Sequence, residues 1–427
     1  MSTPCAISEQ SGSLGVMWKT VSEDCNLACQ YCYYSNCKGN PGHQLNRIPS
    51  SLLETFIHQY MSRAHGNASF AWQGGEPLLA GKDFFKEVIA LQTKHAVPPV
   101  NISNSLQTNG TLIDKEWAHF FKSYHFLVGV SLDGPQDLHD SRRVTASGQG
   151  SFKRVMRGIR HLQAADVDFN ILTVIHDDNV RQAKAIMDFY VRENFQFIQF
   201  IPCMDFRAQQ PDQPGKYLIT AEQYGEFLCE AFDAWYNEGH PRVSVRFFDT
   251  MLSVYLLGEA ELCTHRHSCP KTLILEQNGD AYPCDFYLSS DFKIGNIGVD
   301  SLDDILNNRL FGDFLSLKPK LPSSCITCPY LKLCHGGCPR NRQWTSREDD
   351  PGVDYFCQSY KMIFHYAHER IVHLAEQIVQ RLRQEGPTSP KSRMKPWIPL
   401  CASSITDHEN VWGGEPLTNP FQRNCRT

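Results

Sequence analysis

Eleven of the 17 cysteines in this chain fall into two tight groups, and that grouping constrains the fold more than any other feature. Cys25, Cys29 and Cys32 stand near the start; Cys263, Cys269, Cys284, Cys325, Cys328, Cys334, Cys338 and Cys357 stand in the last third. The total is odd. The first residues, Met1 to Lys19, lack a basic stretch followed by a long apolar one. A disulfide framework is therefore not expected, and neither is export. Thiolates grouped this way in a reducing compartment are metal ligands, so the expected location is the cytoplasm. No apolar run approaches the ~20 residues that cross a bilayer. A net charge of -5 gives no footing for nucleic acid. Neither a membrane nor a nucleic-acid partner is expected.

The first half alternates between apolar, β-rich runs and segments of helical period. The runs are Leu14–Val21, Ala68–Gln73, Asn101–Gln107, Phe126–Leu132, Asp168–Ile175 and Phe195–Ile201. Six such β–α units predict a parallel sheet, because parallel strands need crossover helices. Period alone leaves an open sheet and a curved partial barrel as alternatives. Ser51-x-x-Glu54 and Thr220-x-x-Gln223 read as capping boxes. A basic amphipathic helix is expected after Gly150-Ser151. From about residue 240 the alternation fails. Asn278-Gly279 between Thr272–Gln277 and Ala281–Cys284 predicts a hairpin. The loop-rich remainder suits a small lobe held by metal. A last helix is expected over Phe364–Arg383. The expected organisation is a β/α domain over 12–240, a linker with the metal-bearing lobe over 241–375, and a flexible tail over 376–427. A second Gly-Gly-Glu-Pro string at 413–416 has no strand before it and is read as chance.

Cys25-x3-Cys29-x2-Cys32 follows the first strand. Three thiolates there can hold three irons of a four-iron cluster and leave the fourth open. A zinc site with a distant fourth ligand is the alternative. With Tyr31 at the aromatic position, the motif resembles the signature of the radical S-adenosylmethionine (SAM) superfamily. The resemblance implies a partial (β/α)6 barrel. It also implies an open iron that binds the SAM amine and carboxylate, and a 5′-deoxyadenosyl radical that abstracts hydrogen from substrate. Gly74-Gly75-Glu76-Pro77 resembles the turn that meets the SAM ammonium, through glycine backbone and the Glu76 carboxylate. Ser131 and Asp133 resemble the ribose-binding positions. Arg143, with Arg142 beside it, is a candidate for the SAM carboxylate. All lie at strand ends, where α/β sheets place ligands.

Cys325-x2-Cys328-x5-Cys334-x3-Cys338, preceded by Cys263, Cys269 and Cys284 and followed by Cys357, has thiolates enough for two zincs or two four-iron clusters. The run is similar to the SPASM extension of radical SAM enzymes that modify peptides and proteins. That likeness implies interleaved ligands. Cys263, Cys269, Cys284 and Cys338 would hold the first auxiliary [4Fe–4S] cluster, and Cys325, Cys328, Cys334 and Cys357 the second. The remaining cysteines, Cys37 and Cys203 among them, read as ordinary thiols.

Phe70-Ala71-Trp72-Gln73-Gly74-Gly75-Glu76-Pro77, Gln107-Thr108-Asn109-Gly110, Arg246-Phe247-Phe248-Asp249 and Tyr282-Pro283-Cys284-Asp285-Phe286-Tyr287 resemble the anaerobic sulfatase-maturating enzymes, over about Gly15 to His373. The family oxidises a Cys or Ser side chain of a sulfatase to Cα-formylglycine. The resemblance implies Asp285 as catalytic base and Tyr34 and Gln73 as residues facing the substrate peptide. It also implies SAM and three [4Fe–4S] clusters, an unfolded or nascent sulfatase as substrate, and a low-potential electron donor such as flavodoxin or ferredoxin. The rival readings are a SPASM enzyme that installs thioether or carbon–carbon cross-links, and a non-enzymatic electron carrier. The SAM-site motifs have no use in a carrier.

Overall fold

The computed structural model describes residues 14–42, 44–64, 66–203, 219–342 and 352–385. Ten strands form one sheet: β1 Gly15–Lys19, β2 Gly66–Gln73, β3 Val100–Thr108, β4 Leu127–Ser131, β5 Phe169–Ile175, β6 Phe197–Pro202, β7 Ser244–Val245, β8 Thr272–Leu275, β9 Asp280–Tyr282 and β10 Gly295–Asn296. Their order across the sheet is β10-β9-β8-β1-β2-β3-β4-β5-β6-β7. From β8 to β7 every neighbouring pair is parallel; β9 and β10 add antiparallel. The sheet is open at β10 and β7, so the barrel is partial, as the resemblance implied. The six expected strands form β1 to β6.

Physical pattern explains these elements. On β2, Ala68, Phe70 and Trp72 face inward at period two. Trp72 meets Phe85 of the helix Lys82–His95 edge-on at 5.9 Å between ring centroids. The helix Ser50–Arg63 buries Leu53, Phe56, Ile57 and Tyr60, one stripe at three- and four-residue spacing. Its expected capping box does not form. Pro49 sits at the N-cap, and Glu54 instead bonds Lys94 at 2.5 Å. The Thr220 box does form: the Thr220 hydroxyl accepts from Gln223 N–H, and the Gln223 side chain accepts from Thr220 N–H. The helix after Gly150-Ser151 spans Phe152–Ala164.

Three features differ from expectation beyond residue 240. The alternation continues through the two-residue β7 and the helix Arg246–Leu257. The hairpin β8–β9 is not confined to a separate lobe. Its first strand pairs parallel with β1, Gly15 opposite Thr272 through Trp18 opposite Leu275. One contiguous core accordingly runs from Val16 through Leu273, Ile294 and Phe314 to Val379. The last helix is Cys357–Glu385, longer at both ends than the expected Phe364–Arg383. Residues 386–427, with the string at 413–416, lie outside the described residues. Among the described residues no helix is long and apolar enough to cross a membrane.

Candidate active site

The cysteine loop leaves β1 at Lys19 and is stitched to the end of β2. Thr20 N–H donates to Gln73 O, Gly75 N–H to Ser22 O and Glu76 N–H to Asp24 O, each at 2.7 Å. A Cβ on Gly75 would lie 2.0 Å from Asp24 O, and Gly74 has φ +138° with Ser22 O 2.9 Å from its ideal Cβ. Only glycine permits this approach. Cys37 tightens the same loop. Its Sγ accepts from Cys25 N–H at 3.3 Å and lies 3.2 Å from Cys25 O.

At the C-terminal ends of the strands lies a cavity of ≈ 920 Å³. Cys25, Cys29, Cys32, Tyr31, Gly74, Gly75, Ser131 and Arg143 line it, and so do Tyr34, Gln73 and Asp285. Glu76 and Asp133 do not reach its wall. The Glu76 carboxylate is fully buried and accepts from Thr108 Oγ1 at 2.7 Å, Asn109 N–H at 2.8 Å and Leu78 N–H at 3.1 Å. Burial pushes its pKa up to about 7 against these donors. Glu76 therefore joins β2 to β3, and its carboxylate lies behind the Gly74-Gly75 backbone that lines the cavity. Asp133 is likewise fully buried. It accepts from Val174 N–H at 3.0 Å and from the Tyr31 hydroxyl. Ser131 alone of the two ribose candidates faces the cavity. Arg142 is engaged outside it, within 3.0 Å of both Asp177 and Asp178.

Asp285 follows β9 directly behind Cys284. Lys19, 1% exposed, pairs its ammonium with Asp285 and donates to Gln73 Oε1 at 2.8 Å. Tyr33 O–H donates to Asp285 Oδ2 at 2.7 Å. Tyr34 O–H donates to Glu276 at 2.9 Å. Arg340 lies 3.6 Å from the centroid of Phe286, and both line the cavity. Sequence reading missed Lys19, Tyr33, Glu276 and Arg340. The signal for Lys19 was a lysine closing an otherwise apolar strand.

The other eight cysteines gather in the two interleaved sets. Cys338 and Cys263 act on Cys269 and on Cys284. Cys325 has Cys357 and Cys328 beside it, and Cys334 has Cys357 and Cys325. Burial, more than these neighbours, pushes Cys269 up to about 11 and Cys284 and Cys334 up to about 12. Burial likewise raises Cys29 to about 11. Thiolates so disfavoured need a cation. One tetrahedral zinc would bring sulfurs to roughly 3.8 Å of each other. Among the described residues, however, the group of three or more ligand atoms within 4.8 Å of one another is His176, Asp177 and Asp178, with no cysteine in it. Among the described residues no three cysteine sulfurs come as close together as a single tetrahedral zinc would hold them. At the SAM end, the Nε of Arg143 is buried without a partner, a donor that suits a carboxylate.

An open, mostly parallel sheet whose first loop gathers three cysteines at a strand-end cavity, with two further thiol sets later in the chain, defines a radical SAM enzyme with a SPASM extension. The Radical SAM superfamily profile matches residues 20–190, and that of the SPASM iron–sulfur cluster-binding domain matches 267–329. The chain is 37% identical over 371 residues to a cysteine-type anaerobic sulfatase-maturating enzyme of Clostridium perfringens (strain 13 / Type A), covering 86% of this chain and 99% of that one. It is 33% identical over 403 residues to a serine-type enzyme of Bacteroides thetaiotaomicron, covering 90% and 95%. The solved structure of native anSMEcpe with bound AdoMet and Kp18Cys peptide superposes with TM-score 0.79 at 35% identity, covering 85% and 99%. The chain belongs to the anaerobic sulfatase-maturating enzyme family.

Proposed function

We propose that this enzyme oxidises a Cys or Ser side chain of a sulfatase polypeptide to Cα-formylglycine. The observation that carries the proposal is that Asp285 lines the same cavity as the Cys25–Cys29–Cys32 loop while standing next in the chain to Cys284, a member of the first auxiliary set. The oxidation removes a hydrogen atom from substrate Cβ, a proton from the thiol or hydroxyl, and one electron. A serine yields the aldehyde directly; a cysteine yields a thioaldehyde that water hydrolyses, releasing sulfide. When bound, SAM and its cluster supply the hydrogen-abstracting radical, and the auxiliary clusters an acceptor for the electron. Cys25, Cys29 and Cys32 hold the first cluster, and the two sets of four hold the others. Arg143 takes the SAM carboxylate, the Gly74-Gly75 backbone its ammonium, and Ser131 its ribose. Tyr31 braces Arg143. Gln73 and Tyr34 face the peptide, and Asp285 accepts the proton. The barrel spans 12–240 and the auxiliary-cluster unit 241–375. A low-potential flavodoxin or ferredoxin is the proposed electron donor.

Asp285→Asn keeps the shape but cannot take the proton. The variant should bind peptide and cleave SAM while its formylglycine yield falls by roughly 10²–10⁴-fold. Near-normal yield from a variant with full iron would assign the proton transfer elsewhere.

A further inference from the structure

Lys19 closes β1, and its side chain is almost completely buried, 1% exposed. Burying an ammonium is costly unless each of its donors is met. Three elements meet them here. Gln73 Oε1, at the end of β2, accepts at 2.8 Å. Asp285, just past β9, forms the ion pair. The ring of Tyr34, past the cysteine loop, lies 4.4 Å from the ammonium. Lys19 is the sheet partner of Gln73, so the contact between them is built into the β1–β2 register. Tyr34 is fixed in turn by Glu276, whose backbone carbonyl accepts from Trp18 Nε1 at 3.1 Å. The ammonium thus sits behind the cavity wall and grips residues on that wall without lining it.

We infer that Lys19 is a positioning residue for the oxidation. One ammonium holds Gln73 and Asp285 at a fixed separation, so that the peptide contact and the proton acceptor address the same substrate side chain. The inference rests on the function proposed above. Side chains left to their own rotamers would meet the substrate only part of the time, and displacement of a reacting group by about 1 Å can cost on the order of 10²-fold. Radicals formed while Asp285 is out of place would be quenched without product.

The test compares the reconstituted, SAM-loaded enzyme with Lys19→Met, Lys19→Arg, Asp285→Asn and the Lys19→Met/Asp285→Asn double variant, iron being measured in each. The readout is formylglycine formed per 5′-deoxyadenosine released. Lys19→Met should lower this ratio on the order of 10²-fold while deoxyadenosine release continues. Lys19→Arg keeps the charge on a different head and should fall between. The double variant should lose far less than the product of the two single losses, because Lys19 acts in large part through Asp285. An unchanged ratio in Lys19→Met with full iron, or losses that multiply in the double variant, would overturn the inference. Should Lys19→Met lose iron, Lys19→Arg decides: a lowered ratio supports the inference and an unchanged one overturns it. An unmutated enzyme that cleaves SAM but makes no formylglycine would refute the proposed function, and this inference with it. That result is distinct from any reading of the variants.

Discussion

The Tyr31 hydroxyl is held between Asp133 and Arg143: it donates to Asp133 Oδ2 and accepts from Arg143 Nη1 at 2.7 Å. Three residues that resemblance assigns separately to SAM are therefore one chain of contacts. The aromatic residue of the cysteine motif aims the guanidinium, and Asp133 anchors the aromatic residue. Asp133, fully buried, lies one layer behind the cavity wall.

Tyr31→Phe removes the middle of that chain and leaves a buried carboxylate and guanidinium each short of a partner. Such a loss costs about 1–3 kcal/mol. SAM affinity should weaken by roughly tenfold or more while the iron of the first cluster is retained, as titration of the reconstituted variant would show. Unchanged affinity would mean that Arg143 is aimed by other contacts.

Glu76→Gln bears on the turn rather than on the ligand. Three donors converge on the Glu76 carboxylate, and an amide there turns its own N–H₂ toward one of them. The expected outcome is a protein less stable by about 1–3 kcal/mol in denaturant titration. A large loss of SAM affinity at full stability would return the carboxylate to the ligand.

Asp249, from the Arg246-Phe247-Phe248-Asp249 string, accepts a part-buried bond from the Ser244 hydroxyl. Burial, opposed by that bond, pushes its pKa up to about 7. The folded protein then holds this proton more tightly than the unfolded chain, whose carboxylates titrate near ~4. The contribution to stability is full below that value and is lost as pH rises through about 7. Thermal unfolding of Asp249→Asn should show a weaker decline across this window than the unmutated enzyme. Equal slopes would place the titration on another group.

Anaerobic reconstitution should give about twelve irons per chain, from three four-iron clusters. Replacing Cys25, Cys29 and Cys32 with Ala should remove about four and leave the auxiliary clusters in place. Iron near four in the unmutated, fully reconstituted protein would remove the auxiliary clusters from the account.

Much of this architecture was legible in the chain. Strands β1 to β6 announce themselves by apolar runs, and the cysteine spacings mark the cavity. What stayed hidden depends on pairing. A strand's own period does not name its neighbour, so Thr272–Leu275 read as a lone hairpin arm although it lies against Gly15–Trp18. Ser244–Val245 is too short for any period. Spacing could not separate zinc from clusters, because the choice turns on distances between thiols. Glu76 and Asp133 were legible as site residues but not as buried braces, since burial depends on what packs over them. Lys19 and Glu276 were missed because each is a single charge whose side-chain hydrogen-bond partners lie more than 50 residues away.

The most direct measurement is mass spectrometry of sulfatase peptides after incubation with reduced enzyme and SAM. One peptide carries Cys-x-Pro-x-Arg and the other Ser-x-Ala-x-Arg, and a hydrazine probe captures any aldehyde. The account predicts an aldehyde at the Cys or Ser of at least one peptide, formed together with 5′-deoxyadenosine and absent without SAM. Deoxyadenosine release with both peptides unmodified, or with a thioether or carbon–carbon cross-link in place of the aldehyde, would contradict it.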